Sequence, residues 1–268
     1  MPAREPRVPE GIDVTVPSVA RMYDYLLGGK DNFAADREAA AKLLEIVPDA
    51  QKIARNNRDF MVRAVRFLAE AGVSQFIDLG TGIPTSPNVH EIARKVIPDA
   101  RVVYVDHDPV VLAHSRALLA TDDGVIAVKA DFRDSAEVLG DPGVLRLIDF
   151  SQPVAVLILS VLHFIGDEED PGGIVAGFRE RLTPGGYLVI SAITSENMGE
   201  SVAAGASDLY RAARTPAVAR SREQILSFFT GFELEEPGLV NAVDWRPEVD
   251  TDTRLTGVHM LAGVGHKR

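Results

Sequence analysis

The chain contains no cysteine. Disulfides and cysteine-ligated zinc sites are therefore excluded, and the composition suits a reducing compartment, so a cytoplasmic location is expected. Long apolar runs are also missing. None approaches the ~18 residues of a membrane span, and the polar start Met1-Pro2-Ala3-Arg4-Glu5 does not read as a signal peptide. No membrane partner is expected. Positive charge is scarce as well: the 268 residues carry a formal net charge of −11. Residues 1–68 are nearly balanced, with 11 basic and 10 acidic groups, which leaves 17 against 29 for the remainder. An acidic body argues against a nucleic-acid partner, because that binding rests on neutralising phosphates. Internal repeats are absent, no metal site is expected, and Gly28-Gly29-Lys30 lacks the GxxxxGK[ST] spacing of a phosphate loop. The length suffices for one α/β domain with additions and a sizeable core.

What is present centres on residues 76–85. Phe76-Ile77-Asp78-Leu79 is a short apolar run that breaks into Gly80-Thr81-Gly82. Ser86-Pro87 then looks like a helix start, with Val89, Ile92, Ala93 and Val96 on one face at helical spacing. Strand, glycine turn and helix in that order are the context a nucleotide-binding turn requires. Without Cβ atoms, Gly80 and Gly82 let backbone approach a bulky ligand closely. A second strand, Arg101 to Val105, delivers Asp106 and His107 to its carboxyl end, and Asp108-Pro109 opens the next helix. A third strand, Val125 to Lys129, leads to Ala130-Asp131-Phe132. Asp106 and Asp131 are either ordinary loop carboxylates or ligand-binding acidic residues at the sheet edge. Their occurrence at consecutive strand ends beside a glycine turn favours the second reading, with Asp106 placed for ribose.

Upstream, residues 1–16 read as a proline-rich arm and residues 17–70 as a helical cap over the cleft. A helix after Pro17-Ser18 puts Val19, Met22, Tyr23 and Leu26 on one face and stops at Gly28-Gly29. A second helix covers about 34–47, and a third follows Pro48 with Ile53, Phe60, Met61, Ala64 and Leu68 on its apolar side. Asn57 lies on that same side, either in an interhelical hydrogen bond or against a ligand. Tyr23 is either a core residue with a satisfied hydroxyl or a lid ring against the ligand. Arg55, Arg58, Arg63 and Arg66 read as a solvated face.

Downstream, residues 71–268 form the core. Pro153 to Leu159 is a near-continuous apolar run, as a strand buried on both faces should be. It carries Ser160 and His163 to the carboxyl edge, where open α/β sheets bind ligands. His163 is the candidate general base, the alternatives being packing or gating. The insert 195–216, with Tyr210, Arg211 and Arg214, is placed to cover the site. A helix around 221–229 and two strands near 232–240 and 256–264 complete the chain.

The segment Asp78-Leu79-Gly80-Thr81-Gly82-Ile83-Pro84 resembles the first motif of class I S-adenosylmethionine-dependent methyltransferases, with Pro84 where a third glycine usually stands. Leu182-Thr183-Pro184-Gly185-Gly186-Tyr187 is similar to that superfamily's entry into its fifth strand. Arg21 to Phe33, Ala54 to Arg58, Phe232 to Val240, Trp245-Arg246-Pro247 and Gly257-Val258 resemble more narrowly the bacterial S-adenosyl methyltransferase family, once catalogued as a domain of unknown function.

The resemblance implies a Rossmann-like α/β fold, a seven-stranded, mostly parallel sheet in the order 3-2-1-4-5-7-6, with S-adenosylmethionine as cofactor. It makes Tyr23, Asp78, Gly80, Thr81, Gly82, Asp106, His107, Asp131, Phe132 and Ser160 the expected cofactor contacts. Asn57 and Tyr210 are expected on the acceptor or lid side, with a small molecule as methyl acceptor. Two alternatives stay open: a protein that binds the cofactor without turnover, and a nicotinamide-dependent oxidoreductase. The latter is disfavoured because GxGxxG fails at Thr85 and no second glycine motif follows.

Overall fold

The computed structural model describes residues 13–119, 123–248, 255 and 257–268. Most of the expected arm therefore lies outside the described residues. The cap comprises α1 (Val19–Leu26), α2 (Ala34–Ile46) and α3 (Ala50–Glu70). Then follow β1 (Gln75–Leu79), α4 (Val89–Ala93), β2 (Arg101–Asp106), α5 (Pro109–Leu119), β3 (Val125–Lys129), α6 (Ser135–Gly140) and α7 (Pro142–Leu147). The second half adds β4 (Ala155–Leu159), α8 (Pro171–Arg181), β5 (Tyr187–Thr194), α9 (Glu200–Ala212), α10 (Arg222–Ser227), β6 (Glu233–Leu234), β7 (Val240–Asn241) and β8 (His259–His266). Among the described residues no helix is long and apolar enough to cross a membrane.

The strands run in the order β3-β2-β1-β4-β5-β8-β6, with β7 also paired to β8. The first five strands are mutually parallel and β8 is antiparallel to β5. This is the expected order with one difference: the single strand near 232–240 is two short ones, β6 and β7. Pro237 has no N–H to give the ladder, and the Gly238 N–H turns back to the Glu235 carbonyl at 2.8 Å. The last strand starts three residues later than its expected start at 256, a position outside the described residues.

Every residue of β1 is buried, as are the first four of β4, because helices cover both faces of a parallel sheet. Alternation along the strands sorts the core into two layers. Phe76, Val102, Tyr104, Leu157 and Val189 join Phe60, Leu68 and Trp245 on the α3 side. Ile77, Leu79, Val103, Val156, Ile158 and Leu188 join Phe178, Phe228 and Phe229 on the α8 side. Trp245 meets Phe60 and Phe67 edge-on, at 5.4 and 5.8 Å between ring centres.

The cap is fixed by a buried ion pair. Arg21 Nε donates to Asp36 Oδ2 at 2.8 Å, and the same carboxylate accepts from the Phe33 N–H at 2.7 Å and the Ser18 N–H at 2.9 Å. With its lone pairs satisfied, such a pair offsets its desolvation, whereas loss of one partner costs several kcal/mol (about 3–5). The four arginines expected on a solvated face of α3 behave differently. Arg63 donates to the Trp245 and Ala242 carbonyls at 2.8 and 2.7 Å, and Arg66 pairs with Glu248. Arg58 donates to the Thr85 and Pro87 carbonyls, the latter at 2.7 Å. Arg58 and Arg63 thus use long stems to reach loop backbone, and Arg66 reaches a loop carboxylate.

The expected helix start at Ser86-Pro87 is also corrected. The cap is Asn88, whose N–H donates to the Glu91 carboxylate at 2.6 Å in a capping box. Ser86 instead donates its hydroxyl hydrogen to Glu91 at 3.1 Å. Val96, expected on the helix face, lies beyond the end of α4 and is partly exposed.

Candidate active site

The strand order reverses between β1 and β4, and the carboxyl ends there form the crevice in which open α/β sheets bind ligands. The glycine turn leaves β1 at this point. Gly80 and Gly82 have φ of +67° and +65°, a region that glycine enters without penalty. A Cβ at Gly80 would stand 2.7 Å from Val161 Cγ1, whereas one at Gly82 would meet nothing within 4 Å. The turn thus packs tightly against the β4 exit with one glycine and faces open space with the other. The Gly82 N–H donates to Asp106 Oδ2 at 3.0 Å, tying the turn to the end of β2. Asp106 Oδ1 accepts from the Asp108 N–H at 2.9 Å, and Asp108 in turn caps α5 through the Val110 N–H at 2.8 Å.

A cavity of about 450 Å³ lies against this edge. Tyr23, Asn57, Asp78, Gly80, Thr81, Gly82, Asp106, His107, Asp131, Phe132 and Ser160 all line it. The ten expected cofactor contacts, together with Asn57, are therefore in one place. Ala213, Arg214, Thr215 and Pro216, at the end of the 195–216 insert, close another side.

A second cavity of about 480 Å³ adjoins the first. The two share Val19, Tyr23, Ser160 and Phe164 as a common wall. His163 and Tyr210 line the second cavity only. Leu26, Leu43, Val47, Ile53, Ile193, Val202 and Met260 give it a largely apolar surface.

The wall between the cavities is threaded by hydrogen bonds. Tyr23 donates its hydroxyl hydrogen to the Ala54 carbonyl at 3.0 Å and accepts from Asn57 Nδ2 at 2.9 Å. Asn57 Oδ1 accepts from Ser191 Oγ at 2.6 Å, and Ser191 Oγ accepts from the Ser160 N–H at 2.9 Å. Asn57 thus makes the interhelical bond that one of its two readings required, and it does so while lining the first cavity. Tyr23 likewise combines a satisfied hydroxyl with a place in both walls. Ser160 sits at φ +58°, a left-handed conformation that turns the chain sharply out of β4.

The charges of the site are set by burial. Asp78, 7% exposed, accepts from the Thr81 hydroxyl at 2.9 Å and has no ion-pair partner among the described residues. Burial pushes its carboxyl up from 3.8 to about 6, only partly opposed by the Thr81 bond and the charge of Arg58. Burial also raises Asp106, against its two backbone donors. Asp131 is lowered instead, because Arg133 grips both its oxygens at 2.9 Å. Arg133 also bonds Glu169 at 2.6 Å, so Asp131 reaches the cavity already paired. His107 is exposed at the rim, its Nδ1 3.9 Å from Asp106.

His163 is 8% exposed, and burial followed by the charge of Arg220 depresses its imidazole to about 3. Arg220, itself 2% exposed, donates to the Leu162 and Ile165 carbonyls at 2.6 and 2.7 Å and to Asp167 at 2.9 Å. It therefore grips the turn that carries His163 on both sides.

Sequence reasoning missed Arg58, Arg133 and Arg220. Arg133, two residues after Asp131, was within reach of inspection as a local ion pair. Arg58 and Arg220 bond to carbonyls 27–29 and 55–58 positions away, and no local pattern signals that.

Comparison with known proteins follows the same line. The sequence profile of the S-adenosyl methyltransferase family matches residues 5–268. A presumptive methyltransferase from Thermobifida fusca YX is 42% identical, with 97% of this chain and 98% of that one covered, at a TM-score of 0.91. A DUF574 family protein from Streptomyces avermitilis MA-4680 is 40% identical, with coverages of 96% and 99% and a TM-score of 0.88. Among curated proteins no sequence matches this chain.

Proposed function

Because the chain belongs to the S-adenosyl methyltransferase family, we propose that it moves a methyl group from S-adenosylmethionine in the first cavity to a small molecule in the second. The observation that carries this reading is the pair of adjoining cavities at one sheet edge, the first holding a buried carboxylate, Asp78, that makes no ion pair with any described residue. Both volumes fall in the range of small-ligand sites, roughly 300–1,000 Å³.

The residues fit the cofactor. Open space beside Gly82 admits a ligand against the turn backbone. Asp106, at the end of β2, would accept hydrogen bonds from ribose hydroxyls. Asp78 would face the positive charge of the methionine part, and Phe132 would offer apolar surface to the base. Bound there, S-adenosylmethionine supplies an electrophilic methyl group on a sulfonium whose charge vanishes on transfer.

The chain's own contribution is alignment in a site closed to water, which can lower a barrier by several kcal/mol (roughly 7–11 in the best oriented systems). Helices α1 and α3 and the end of the 195–216 insert form the enclosure. His163 is the group we assign to the acceptor's proton. Held neutral by burial and Arg220, it accepts a hydrogen bond at any physiological pH. Its weak proton affinity restricts it to taking the proton as the new bond forms, when the acceptor becomes acidic.

Calorimetric titration tests the reading. S-adenosylhomocysteine is expected to bind in a 1:1 ratio, and Asp106→Ala to weaken it by about 1.5–3 kcal/mol, the range for hydrogen bonds to a charged group. Absence of heat with S-adenosylhomocysteine, alongside binding of NAD, would overturn it.

A further inference from the structure

The acceptor's chemistry can be narrowed from the second cavity's wall. Among the described residues only Glu200 brings a formal charge to its lining, exposed at the start of α9, and none of them brings a lysine or arginine. A carboxylate or phosphate entering it would lose hydration with nothing to replace it, and an ammonium group would do the same away from the rim.

Polar side-chain atoms without a partner among the described residues nevertheless line it, the Ser160 and Ser195 hydroxyls and two ring-borne atoms among them. His163 Nδ1 is buried and makes no hydrogen bond, on a residue more than nine-tenths enclosed. The Tyr210 hydroxyl makes no hydrogen bond to any described residue. Buried polar groups in native proteins almost always find a partner, so His163 Nδ1, unmatched on a residue of this apolar wall, points to a ligand that the half-buried Tyr210 hydroxyl can also reach. The two flank Phe164, whose ring centre lies 4.2 Å from that of His163 and 5.1 Å from that of Tyr210. Phe164 also lines the first cavity, so the pair stands beside the shared wall.

We propose that the acceptor is an uncharged, largely apolar hydroxyl compound, held by His163 Nδ1 and the Tyr210 hydroxyl, and that the enzyme is an O-methyltransferase. The inference rests on the methyltransferase reading given above. A hydroxyl both donates and accepts, which matches an unprotonated ring nitrogen on one side and a phenol on the other. In the step, a lone pair on the acceptor oxygen forms the O–CH3 bond while the C–S bond breaks. The bonding electrons remain on sulfur as a neutral thioether, and the oxygen's proton passes to His163 Nδ1 and then to solvent.

Matched probes test this with the full chain saturated in S-adenosylhomocysteine. Naphthalene and decalin, each carrying a hydroxyl, carboxylate, aminomethyl or methoxy group, are titrated by calorimetry. The hydroxyl compound of at least one skeleton should bind about tenfold or more tighter than its charged and methoxy counterparts. Tyr210→Phe and His163→Gln should each weaken the hydroxyl probe by about tenfold, the effect of one lost hydrogen bond; the methoxy probe, which accepts but cannot donate, should be weakened by Tyr210→Phe and left unchanged by His163→Gln. With S-adenosylmethionine in place of the product, mass spectrometry should find the methyl ether. Tighter binding of a carboxylate or aminomethyl probe, equal binding of hydroxyl and methoxy probes, or no probe bound while S-adenosylhomocysteine is bound would each overturn the proposal. Failure of S-adenosylhomocysteine itself to bind would instead overturn the cofactor assignment beneath it.

Discussion

Gly80 and Gly82 are one residue apart and share a left-handed backbone, yet they should respond differently to a single methyl group. Alanine at either position carries a conformational cost of about 1–2 kcal/mol, because Cβ crowds the following carbonyl. At Gly82 that is the whole cost to the fold, since a Cβ there meets nothing within 4 Å. In a protein of this size about 2–4 °C of melting temperature is lost per kcal/mol, so Gly82→Ala should melt about 2–8 °C lower. At Gly80 the new methyl stands 2.7 Å from Val161 Cγ1 and 3.3 Å from Val161 Cβ. Valine is stiff about χ1, so overpacking adds about 1–3 kcal/mol and Gly80→Ala should melt lowest. Adding Val161→Ala should recover part of that loss and none of the backbone strain. Binding should show the reverse order. The Gly82 methyl enters the first cavity, so folded Gly82→Ala should lose tenfold or more in affinity for S-adenosylhomocysteine, beyond the loss in Gly80→Ala with Val161→Ala. Scanning calorimetry and titration on the same samples decide the matter. Wild-type affinity in Gly82→Ala, or equal stability of the two alanine variants, would refute the reasoning.

Asp78 should make cofactor binding pH-dependent. Its carboxyl titrates near 6, so a proton must leave before a cation can be paired, and affinity for S-adenosylmethionine should rise between pH 5 and 7 with proton release. Titration in buffers of differing ionisation heat measures that release, and Asp78→Asn should abolish it. The same raised value means that the folded state keeps a proton the unfolded chain gives up near 3.8. Asp78's own contribution to the stability of the ligand-free protein is therefore full below about pH 4 and is lost as pH rises through 6; Asp78→Asn should melt above wild type at pH 7.5, and a lower melting point would contradict the burial argument. Hydrogen exchange across residues 17–70 should slow when S-adenosylhomocysteine binds, and unchanged exchange would reduce the cap to a structural addition. His163→Ala should cut turnover ~10²–10⁴-fold with cofactor affinity unchanged; a change confined to acceptor KM would make it a gate, and near-wild-type turnover across pH would remove its proton role.

The sheet and the site edge were readable because they rest on local rules. A wholly apolar run gives β4 and a mainly apolar one β1, and Asp108-Pro109 marks the start of α5 through a cap that forms within three residues. The boundaries that shifted did so where two local signals competed. Ser86-Pro87 and Asn88 with Glu91 are both plausible helix starts, and the capping box prevails because it satisfies two donors at once. The arginines were not readable. An arginine on the polar side of an amphipathic helix looks the same whether it meets water or a loop carbonyl, and the loop's position is decided by the whole fold. His163 shows a similar division. Its place at the strand edge follows from the sequence, whereas its depressed titration depends first on burial by the folded chain and then on the charge of Arg220, 57 positions later.

The thread from Ala54 through Tyr23, Asn57 and Ser191 to Ser160 works as a key between cap and sheet. Sliding α3 along β5 by one helical turn would break the Ser191–Asn57 bond at 2.6 Å and leave two buried polar groups, Asn57 Oδ1 and the Ser191 hydroxyl, without each other. The cap therefore has a single seating, and the partition between the two cavities keeps its place whatever fills either side. The far wall of the second cavity, including Leu43, Val202, Ala206 and Met260, takes no part in that key. Side chains there can be exchanged to recut the second cavity without touching the hydrogen-bonded partition, so one scaffold can carry second cavities of many shapes by changing only what lies beyond it.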